Sequence, residues 1–253
     1  NVSHEEREER LNAIHKGEKS ILYIAPEMLL TTSLETLLGG RRLGLFVVDE
    51  AHTVTSWGRD FRADYWFMGD YLERQRKNGL HFPVLCLTAT AVFGGRDDVV
   101  QDTISTLGLN QPILYLGRVR RDNIDFDIHS LDKQTDESRD EFKVNHVAQK
   151  IAEYVAEGKK TLVYCPFRST VDSIYQAVPF SVKDKVRRYH AGMERGEKNA
   201  AQDAFKNNKA IVMICTKAFG MGVDVPDIVQ VYHYAPTGNL ADYVQEIGRC
   251  ARD

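Results

Sequence analysis

The sequence LGLFVVDEAH, which runs from Leu43 to His52, is the stretch that decides the fold. Its apolar part has no polar alternation, which is typical of a strand that is buried on both faces of a parallel or mixed sheet. Two carboxylates, Asp49 and Glu50, follow directly. In open α/β sheets ligands bind beyond the carboxyl ends of the strands, where one carboxylate can hold Mg²⁺ and a second can orient an attacking water. The stretch therefore predicts an α/β domain with a phosphate and metal site at this edge.

The composition bounds the class of protein. With 253 residues, 43% of them hydrophobic, the chain is long enough for one large domain or two of ordinary size. No apolar run approaches the length of a transmembrane helix, and no signal-peptide pattern opens the chain. The four cysteines form no C-x-x-C pair, which argues against a zinc site or a disulfide framework and is typical of an intracellular protein. The net charge of −3 means that any nucleic-acid binding has to come from local patches.

Strands and helices are predicted to alternate along the whole chain. The predicted strands are residues 20–24, 43–48, 83–87 and 112–116 in the first half, and 124–128, 161–165, 186–189, 211–215 and 228–232 in the second. Such alternation predicts an α/β fold of two lobes, each a parallel sheet flanked by helices, with a cleft between them. A basic linker candidate separates the lobes, so we expect the first to span residues 1–118 and the second residues 119–253.

Two hydroxyl side chains, Thr88 and Thr90, follow the strand predicted at residues 83–87. At the carboxyl end of a parallel strand they could couple a bound phosphate to a neighbouring site by hydrogen bonds. They could equally cap the next helix, predicted at residues 96–107. The residues alone leave both interpretations open.

The loop TSWGRDFRADY at residues 55–65 interleaves aromatic rings with arginines. This mixture suits base stacking combined with phosphate contacts. Aromatic side chains packed beneath a surface loop would give the same composition, so the loop by itself does not decide between the two.

The last predicted helix, from residue 239 to the end, carries a basic face. Gln245, Arg249 and Arg252 stand at i, i+4 and i+7, with Gly248 leaving room beside them. Two arginines on one face suit stabilisation of charge on a transferring phosphoryl group, as an arginine finger does. A solvated basic face is the alternative.

Taken in order, these motifs resemble those of superfamily-two helicases. Residues 49–52 (DEAH), 87–91 (LTATA) and 245–252 (QEIGRCAR) are similar to motifs II, III and VI of that superfamily. The loop at residues 56–65 resembles the aromatic-rich loop that is distinctive of RecQ-type DNA helicases. Residues 24–27, 121–124, 164–165, 189–192 and 218–222 also match RecQ sequences closely. The resemblance implies two RecA-like lobes.

The resemblance implies an ATP-dependent DNA helicase or translocase with 3′-to-5′ polarity. The implied cofactors are ATP and Mg²⁺, and the implied partner is single-stranded or partly duplex DNA, with no membrane. Asp49 would coordinate Mg²⁺ through water, and Glu50 would position the hydrolytic water. The other implied residues are His52 and Gln245, which would couple the ATP state to DNA with Thr88 and Thr90; Arg249 and Arg252, which would reach the ATP phosphates; Gly222 and Asp224, near the nucleotide; Trp57, Arg59, Phe61 and Arg62, which would sense single-stranded DNA; and Arg168, His190 and Thr216, which would line the strand path of the second lobe.

The sequence also departs from the RecQ pattern. It contains no G-x-x-x-x-G-K-[ST] phosphate loop, and residues 17–20 (GEKS) precede a predicted strand instead of following one. The family places this loop, and the glutamine that reads adenine, upstream. We therefore expect the chain to be a truncated helicase core whose first lobe is only partly present and which does not hydrolyse ATP alone. The zinc-binding and winged-helix segments of the family would follow residue 253. Smaller departures are Cys250-Ala251, where Ala-Gly is usual, and Asp224, where Asn is common.

Two other classes of protein remain open at this level. A related DEAD or DEAH motor acting on RNA would share residues 49–52, but the aromatic loop argues against it. A non-catalytic nucleic-acid-binding module on a helicase fold could lack the phosphate loop. The presence of Asp49, Glu50, Arg249 and Arg252 argues against such a relic.

Overall fold

The computed structural model describes residues 3–54, 63–91, 93–94, 98–117, 121–130, 138–220 and 225–252, with backbone alone at 63–66. The chain divides into two compact units, Asn1–Leu116 and Gly117–Asp253. All four cysteines are free thiols. No helix in the described part of the chain is both long and apolar enough to cross a membrane.

The first unit combines a pair of strands with five α-helices in its described part. The strands are β1 (Phe46–Val48) and β2 (Val84–Cys86), and the helices are α1 (His4–His15), α2 (Pro26–Thr31), α3 (Leu34–Leu38), α4 (Ala63–Lys77) and α5 (Val99–Thr106). A 3-10 turn, Ala51–Val54, follows β1. The two strands pair in parallel, as the uninterrupted apolar runs predict.

The core of the first unit lies on one face of this strand pair. Phe46 and Val48 point into it, whereas Val47 between them is 49% exposed. Helices α2, α3 and α4 supply the other side, with Leu37 and Leu72 fully buried. The prediction that the β1 stretch is buried on both faces is therefore wrong for the described residues, because helices cover only one of them.

Two strands predicted in this unit do not form. Residues 20–24 and 112–116 have no regular secondary structure, and Tyr23 and Tyr115 are 92% and 88% exposed. An apolar run becomes a strand only when a neighbour pairs with its backbone N–H and C=O groups. Among the described residues, β1 and β2 pair only with each other.

The second unit contains a four-stranded parallel sheet. Its strands are β3 (Thr161–Tyr164), β4 (Val186–Tyr189), β5 (Val212–Cys215) and β6 (Gln230–His233), in the spatial order β4–β5–β3–β6. Its helices are α6 (Arg139–Ala156), α7 (Arg168–Ala177), α8 (Arg195–Lys206) and α9 (Leu240–Ile247), and a 3-10 turn, Phe180–Lys185, precedes β4. All three strand pairs are parallel.

Helices cover both faces of this sheet. The central strands β3 and β5 are buried along their whole length. Successive residues of a strand point to opposite faces, so Val163 and Ile214 pack against α6 and α7, whereas Leu162 and Met213 pack against α8. The predicted α/β fold, with parallel sheets flanked by helices, is confirmed.

The end of the chain departs from its predicted form. Helix α9 ends at Ile247 and does not continue to the last residue. Gly248, a poor helix former, caps it. The N–H of Ala251 then donates to the carbonyl of Ile228 at 3.0 Å, which ties the chain to the segment before β6. The prediction of one helical face carrying both arginines is therefore wrong, since Arg249 and Arg252 lie past the helix.

The segment after the lobe junction also differs from its prediction. Residues 124–128 alternate in polarity as a strand would, but they form no regular element, and Ile128 is 94% exposed. Alternation predicts a half-buried strand only where a sheet edge is available to pair with it.

Candidate active site

Asp49 and Glu50 lie beyond the carboxyl end of β1, and both are exposed. Asp49 Oδ1 accepts a hydrogen bond from the N–H of Glu50 at 2.9 Å. Glu50 has a φ of 50°, a left-handed conformation that costs about 1–2 kcal/mol for a residue other than glycine. The carbonyl of Glu50 accepts hydrogen bonds from the N–H and the hydroxyl of Thr53, at 2.9 and 2.8 Å, which help to hold this conformation. Backbone strain of this kind is concentrated at functional sites.

The two carboxylates suit one kind of metal ion. Mg²⁺ keeps several waters and takes one or two carboxylates together with substrate phosphates, so it needs no cage of protein ligands. Asp49 and Glu50 are adjacent acids that solvent and a phosphate can both reach. Among the described residues no group of three or more His, Cys, Asp or Glu side chains converges on a metal site. The donor set fits a hydrated Mg²⁺ that is bound together with a phosphate.

His52 connects these acids to the end of β2. Its Nδ1 lies 3.0 Å from Thr88 Oγ1, 3.2 Å from Thr90 Oγ1 and 3.3 Å from Glu50 Oε2. When Nδ1 carries no proton it can accept from a threonine hydroxyl, and when it carries one it can donate to the Glu50 carboxylate. Because three polar groups share one ring nitrogen, a change in the position of one alters the hydrogen bonds open to the others.

Backbone pairing sets the spacing of this group of side chains. The N–H of Leu87 donates to the carbonyl of Val48, and the N–H of Ala51 donates to the carbonyl of Leu87, both at 2.9 Å. These bonds extend the β1–β2 ladder past its last paired residues. The residues that follow the two strands are therefore held side by side.

The two interpretations of the threonines are now distinguishable. Asp98 caps α5, with its Oδ1 accepting from the N–H of Gln101 at 2.9 Å. Thr90 is only 8% exposed, and its N–H donates to Thr88 Oγ1 at 3.2 Å. The capping interpretation is therefore wrong, and the structure brings both hydroxyls to His52.

In the second unit the two arginines lie close to the end of α9. The guanidinium of Arg249 packs against Gly220, where an added Cβ would lie 3.3 Å from Arg249 Nη2 and 3.5 Å from its Cζ. Arg252 Nε donates to the carbonyl of Gly248 at 3.2 Å. Gln245 lies inside α9 and is partly buried. Gly220 therefore leaves the space that Arg249 occupies.

A partly buried pair joins the end of β6 to α9, and the sequence did not predict it. His233 Nε2 lies 2.8 Å from Glu246 Oε2, with side chains 17% and 12% exposed. The His233 ring stacks on Tyr164 and contacts Tyr243, at centroid distances of 5.8 and 5.2 Å. Burial raises the pKa of Tyr164 well above its usual range, and its hydroxyl donates to the Phe219 carbonyl at 3.1 Å. No periodic signal links a strand histidine to a helix glutamate, so only the packing of α9 on the sheet reveals the pair.

His190, a predicted nucleic-acid residue, is only 6% exposed. Its Nδ1 accepts from the N–H of Gly192 at 3.2 Å, so Nε2 carries the proton and donates to Asp172 Oδ1, also at 3.2 Å. Asp172, which the sequence did not single out, accepts from Arg188 as well. Arg168 is exposed at the start of α7, and its Nη1 would lie 3.3 Å from a Cβ added at Gly192. The imidazole therefore shapes the loop over which Arg168 lies.

Thr216 follows β5, where its N–H donates to the carbonyl of Tyr189 at 3.2 Å. The other predicted site residues, Trp57, Arg59, Phe61, Arg62, Gly222 and Asp224, lie outside the described residues. Their roles stay predictions.

Comparison with known families defines the class of protein. Residues 1–97 match the DEAD/DEAH box helicase family, and residues 143–253 match the helicase conserved C-terminal domain. Together these matches include the DEAH acids, both threonines and the arginines that follow α9. The two halves of the chain thus match the two family models of a helicase core.

Within this class, full-length comparison narrows the family. "Probable ATP-dependent DNA helicase RecS" of Bacillus subtilis strain 168 is 34% identical over 252 residues, which cover 100% of this chain and 47% of RecS. "ATP-dependent DNA helicase RecQ" of Pasteurella multocida strain Pm70 is 30% identical over 253 residues, which cover 98% of this chain and 36% of that protein. The chain thus spans less than half the length of either relative. The chain is similar to RecQ-type helicases over its whole length, and the resemblance predicted from the motifs is confirmed.

A solved structure supports the fold independently. The Mycobacterium smegmatis helicase Lhr, bound to single-stranded DNA and AMP-PNP, matches with a TM-score of 0.67 at 17% identity, over 96% of this chain and 31% of Lhr. At this identity the likeness shows the fold alone, and that fold is the RecA-like helicase fold.

Proposed function

We propose that the protein to which this chain belongs is an ATP-dependent DNA helicase or translocase of RecQ type that moves 3′ to 5′. Residues 1–118 would belong to its first RecA-like lobe and residues 119–253 to its second. The observation that carries the proposal is the placement of His52, whose ring nitrogen lies within 3.3 Å of Glu50, Thr88 and Thr90. The relatives named as DNA helicases, which match the whole chain, support DNA over RNA.

The DEAH acids would carry the chemistry of ATP hydrolysis. Mg²⁺ would supply charge neutralisation on the phosphate oxygens. Asp49 would hold the hydrated ion through water. Glu50 would orient the attacking water, and the bond between its carbonyl and Thr53 would keep its carboxylate beyond the strand end.

Arg249 and Arg252 would stabilise the charge that develops on the transferring phosphoryl group. An arginine in this role contributes about 10³- to 10⁵-fold to the rate. Gly220 supports the assignment because it leaves room for the planar guanidinium of Arg249. Gln245, on the adjoining turn of α9, would couple the same site to DNA.

The DNA path would use residues from both halves of the chain. Trp57, Arg59, Phe61 and Arg62 would sense the single strand by stacking and phosphate contact. Arg168 and Thr216 would contact the backbone of the strand, with His190 holding the loop beside them. Gly222 and Asp224 would lie near the nucleotide.

The test is ATP hydrolysis by the full polypeptide with single-stranded DNA, with single-stranded RNA and with neither. Stimulation by DNA alone is expected. Stimulation by RNA alone would move the protein to the RNA motors, and no hydrolysis under any condition would leave a non-catalytic binding module.

Replacement of the proposed water-orienting carboxylate gives the sharper prediction. We expect Glu50→Gln to keep nucleotide binding and to lower turnover by at least about 100-fold, since the amide cannot act as a base. Nucleotide affinity and steady-state turnover would be measured on the full polypeptide. Glu35→Gln, at an exposed acid in the first turn of α3, is the matched control. Retained turnover in Glu50→Gln would contradict the assigned role.

A further inference from the structure

The position of the two proposed phosphate-binding arginines is not set by a regular helix. Helix α9 ends at Ile247, and Arg249 and Arg252 follow it in an irregular turn. Ala251, between them, has a φ of 52°, the left-handed conformation that residues other than glycine rarely adopt. Something outside the turn has to stabilise this conformation, because the chain has alanine at a position where glycine would adopt it without strain.

A segment more than a hundred residues upstream supplies that stabilisation. Arg121 Nη2 donates to the carbonyl of Ala251, 130 residues away, and to the carbonyl of Cys250 at 3.3 Å. Asn123 Nδ2 donates to the same Ala251 carbonyl at 3.0 Å, across 128 residues. Two side chains therefore converge on the backbone that separates Arg249 from Arg252.

The two donors also hold each other in place. Arg121 Nε donates to Asn123 Oδ1 at 3.1 Å, so the guanidinium and the amide present their N–H groups from a fixed arrangement. Phe126, further along the segment, contacts the Tyr243 ring of α9 at a centroid distance of 6.4 Å. The segment thus lies against α9 at one point and against the turn beyond it at another.

The acceptors on this turn are backbone carbonyls past the end of a helix, which have no partner inside the helix. A guanidinium donates charge-assisted hydrogen bonds, and these are stronger than neutral ones. They act on the backbone between the two arginines. The geometry is that of a clamp on the backbone.

We propose that Arg121 and Asn123 are positioning residues for ATP hydrolysis, which clamp the Cys250–Ala251 backbone so that Arg249 and Arg252 are held ready for the phosphates. The proposal rests on the proposed function. Neither residue contacts the nucleotide in this scheme. Their effect is on the orientation of the arginines, and a displacement of about 1 Å in such a group can cost about 100-fold in rate.

The test uses the full polypeptide and three single variants, Arg121→Gln, Arg121→Lys and Asn123→Ala. Steady-state kcat and KM for ATP with saturating single-stranded DNA, the Kd for DNA without nucleotide, and Tm would be measured. We expect Arg121→Gln to lower kcat about 10- to 100-fold with less than a twofold change in the Kd for DNA. Arg121→Lys keeps the positive charge but loses the planar guanidinium with its several N–H donors. Its kcat should therefore lie between those of Arg121→Gln and the unchanged protein. Asn123→Ala should lower kcat with KM less affected. Asp125→Asn, at an exposed acid of the same segment, should leave all values unchanged.

The possible outcomes separate this proposal from the one on which it rests. If the unchanged polypeptide hydrolyses ATP and the Arg121 and Asn123 variants match it in kcat, the clamp is overturned and the proposed function stands. If kcat and Tm fall and the Kd for DNA rises in every variant, the segment is a general structural support and the proposal is also overturned. If the unchanged polypeptide shows no hydrolysis, the proposed function fails first, and the clamp has no reaction to serve.

Discussion

At the scale of single residues, His52 is where the two motifs of the first unit meet. The ring nitrogen that faces Glu50 also faces the hydroxyls of Thr88 and Thr90. An imidazole can serve as donor or acceptor at that nitrogen. Its hydrogen-bond partner can therefore change from a threonine hydroxyl to the Glu50 carboxylate with little movement of the ring. Burial of Thr90 makes its hydroxyl dependent on this partner, because a buried polar group that loses its hydrogen bond is costly.

This arrangement predicts the effect of removing one hydroxyl. Thr90→Val keeps the shape of the side chain and removes its hydrogen bond to His52. We expect the ratio of DNA-stimulated to unstimulated ATP hydrolysis to fall by roughly tenfold in the full polypeptide. A tenfold change in rate corresponds to about the free energy of one hydrogen bond. Ser105→Ala, which removes a hydroxyl that bonds only the backbone carbonyl of Gln101 within α5, is the control. A Thr90→Val protein with full DNA stimulation would show that the hydroxyl plays no part in coupling.

At the scale of the elements, a buried lysine joins three parts of the second unit. Lys160, just before β3, places its Nζ 2.6 Å from Asn208 Oδ1 after α8 and 2.7 Å from Asp227 Oδ1 before β6. The ammonium also lies 4.9 Å above the Phe205 ring. Its side chain is 5% exposed, and burial of an ammonium is tolerated only when it is paired and hydrogen-bonded.

Removal of this ammonium should weaken the fold in a pH-dependent way. Burial by itself would raise the pKa of Asp227, but hydrogen bonds from Lys160 and Asn208 lower it overall. A folded-state pKa below the unfolded value contributes stability above the unfolded pKa, and that contribution is lost as the pH falls through the folded pKa. We expect Lys160→Met to lower the free energy of unfolding by about 1–3 kcal/mol at pH 7, less than for a fully buried pair because Asp227 is 44% exposed.

The measurement is chemical unfolding of the full polypeptide, followed by circular dichroism, at pH 7 and at pH 3. The gap between Lys160→Met and the unchanged protein should narrow at pH 3, because Asp227 is largely protonated there in the unfolded state, so the stability that its lowered folded-state pKa contributes at pH 7 is partly lost. Lys159→Met removes an exposed neighbour that pairs with Glu157 and should change stability little at either pH. A gap of equal size at both pH values would mean that lost packing, and not the ion pair, causes the effect.

At the scale of the whole molecule, the residues proposed for ATP chemistry are spread over both units. The DEAH acids and the threonines belong to the first unit, and the arginines and their supporting glycine belong to the second. The sequence has no phosphate loop to hold the β- and γ-phosphates. In the proposed function these residues would act on phosphates that a phosphate loop elsewhere in the full polypeptide holds.

We therefore expect the 253-residue chain alone to show no ATP hydrolysis above background, whereas the full polypeptide hydrolyses ATP with DNA. The physical reason is that positioning and electrostatic stabilisation of the phosphates supply most of the catalysis of phosphoryl transfer. Both preparations would be assayed side by side with single-stranded DNA, with circular dichroism to check that the chain alone is folded. Hydrolysis by the folded chain alone would mean that residues other than a phosphate loop bind the phosphates.

Local sequence patterns were sufficient to predict most of the strands and the positions of the motifs. Runs of strand length predicted β1 to β6, but only β3 and β5 are buried along their whole length, as a strand covered by helices on both faces is. The DEAH and LTATA motifs placed His52, Thr88 and Thr90 after two predicted strands, and the structure shows that these strands pair with each other. The runs at residues 20–24, 112–116 and 124–128 were predicted as strands by the same rule, which contains no information about whether a pairing neighbour is present.

The sequence by itself determined the class of the fold, the helicase family and the identity of the residues that carry the motifs, since all of these depend on residues that are near one another in the chain. Only the tertiary structure decided that α9 stops at Ile247, that His233 meets Glu246, and that Arg121 and Asn123 bond to the Ala251 carbonyl. Periodicity reports the burial and hydrogen bonding of neighbours along the chain. Contacts across 128 or 130 residues depend on the order in which the strands assemble and on where the loops cross, and no local pattern records either.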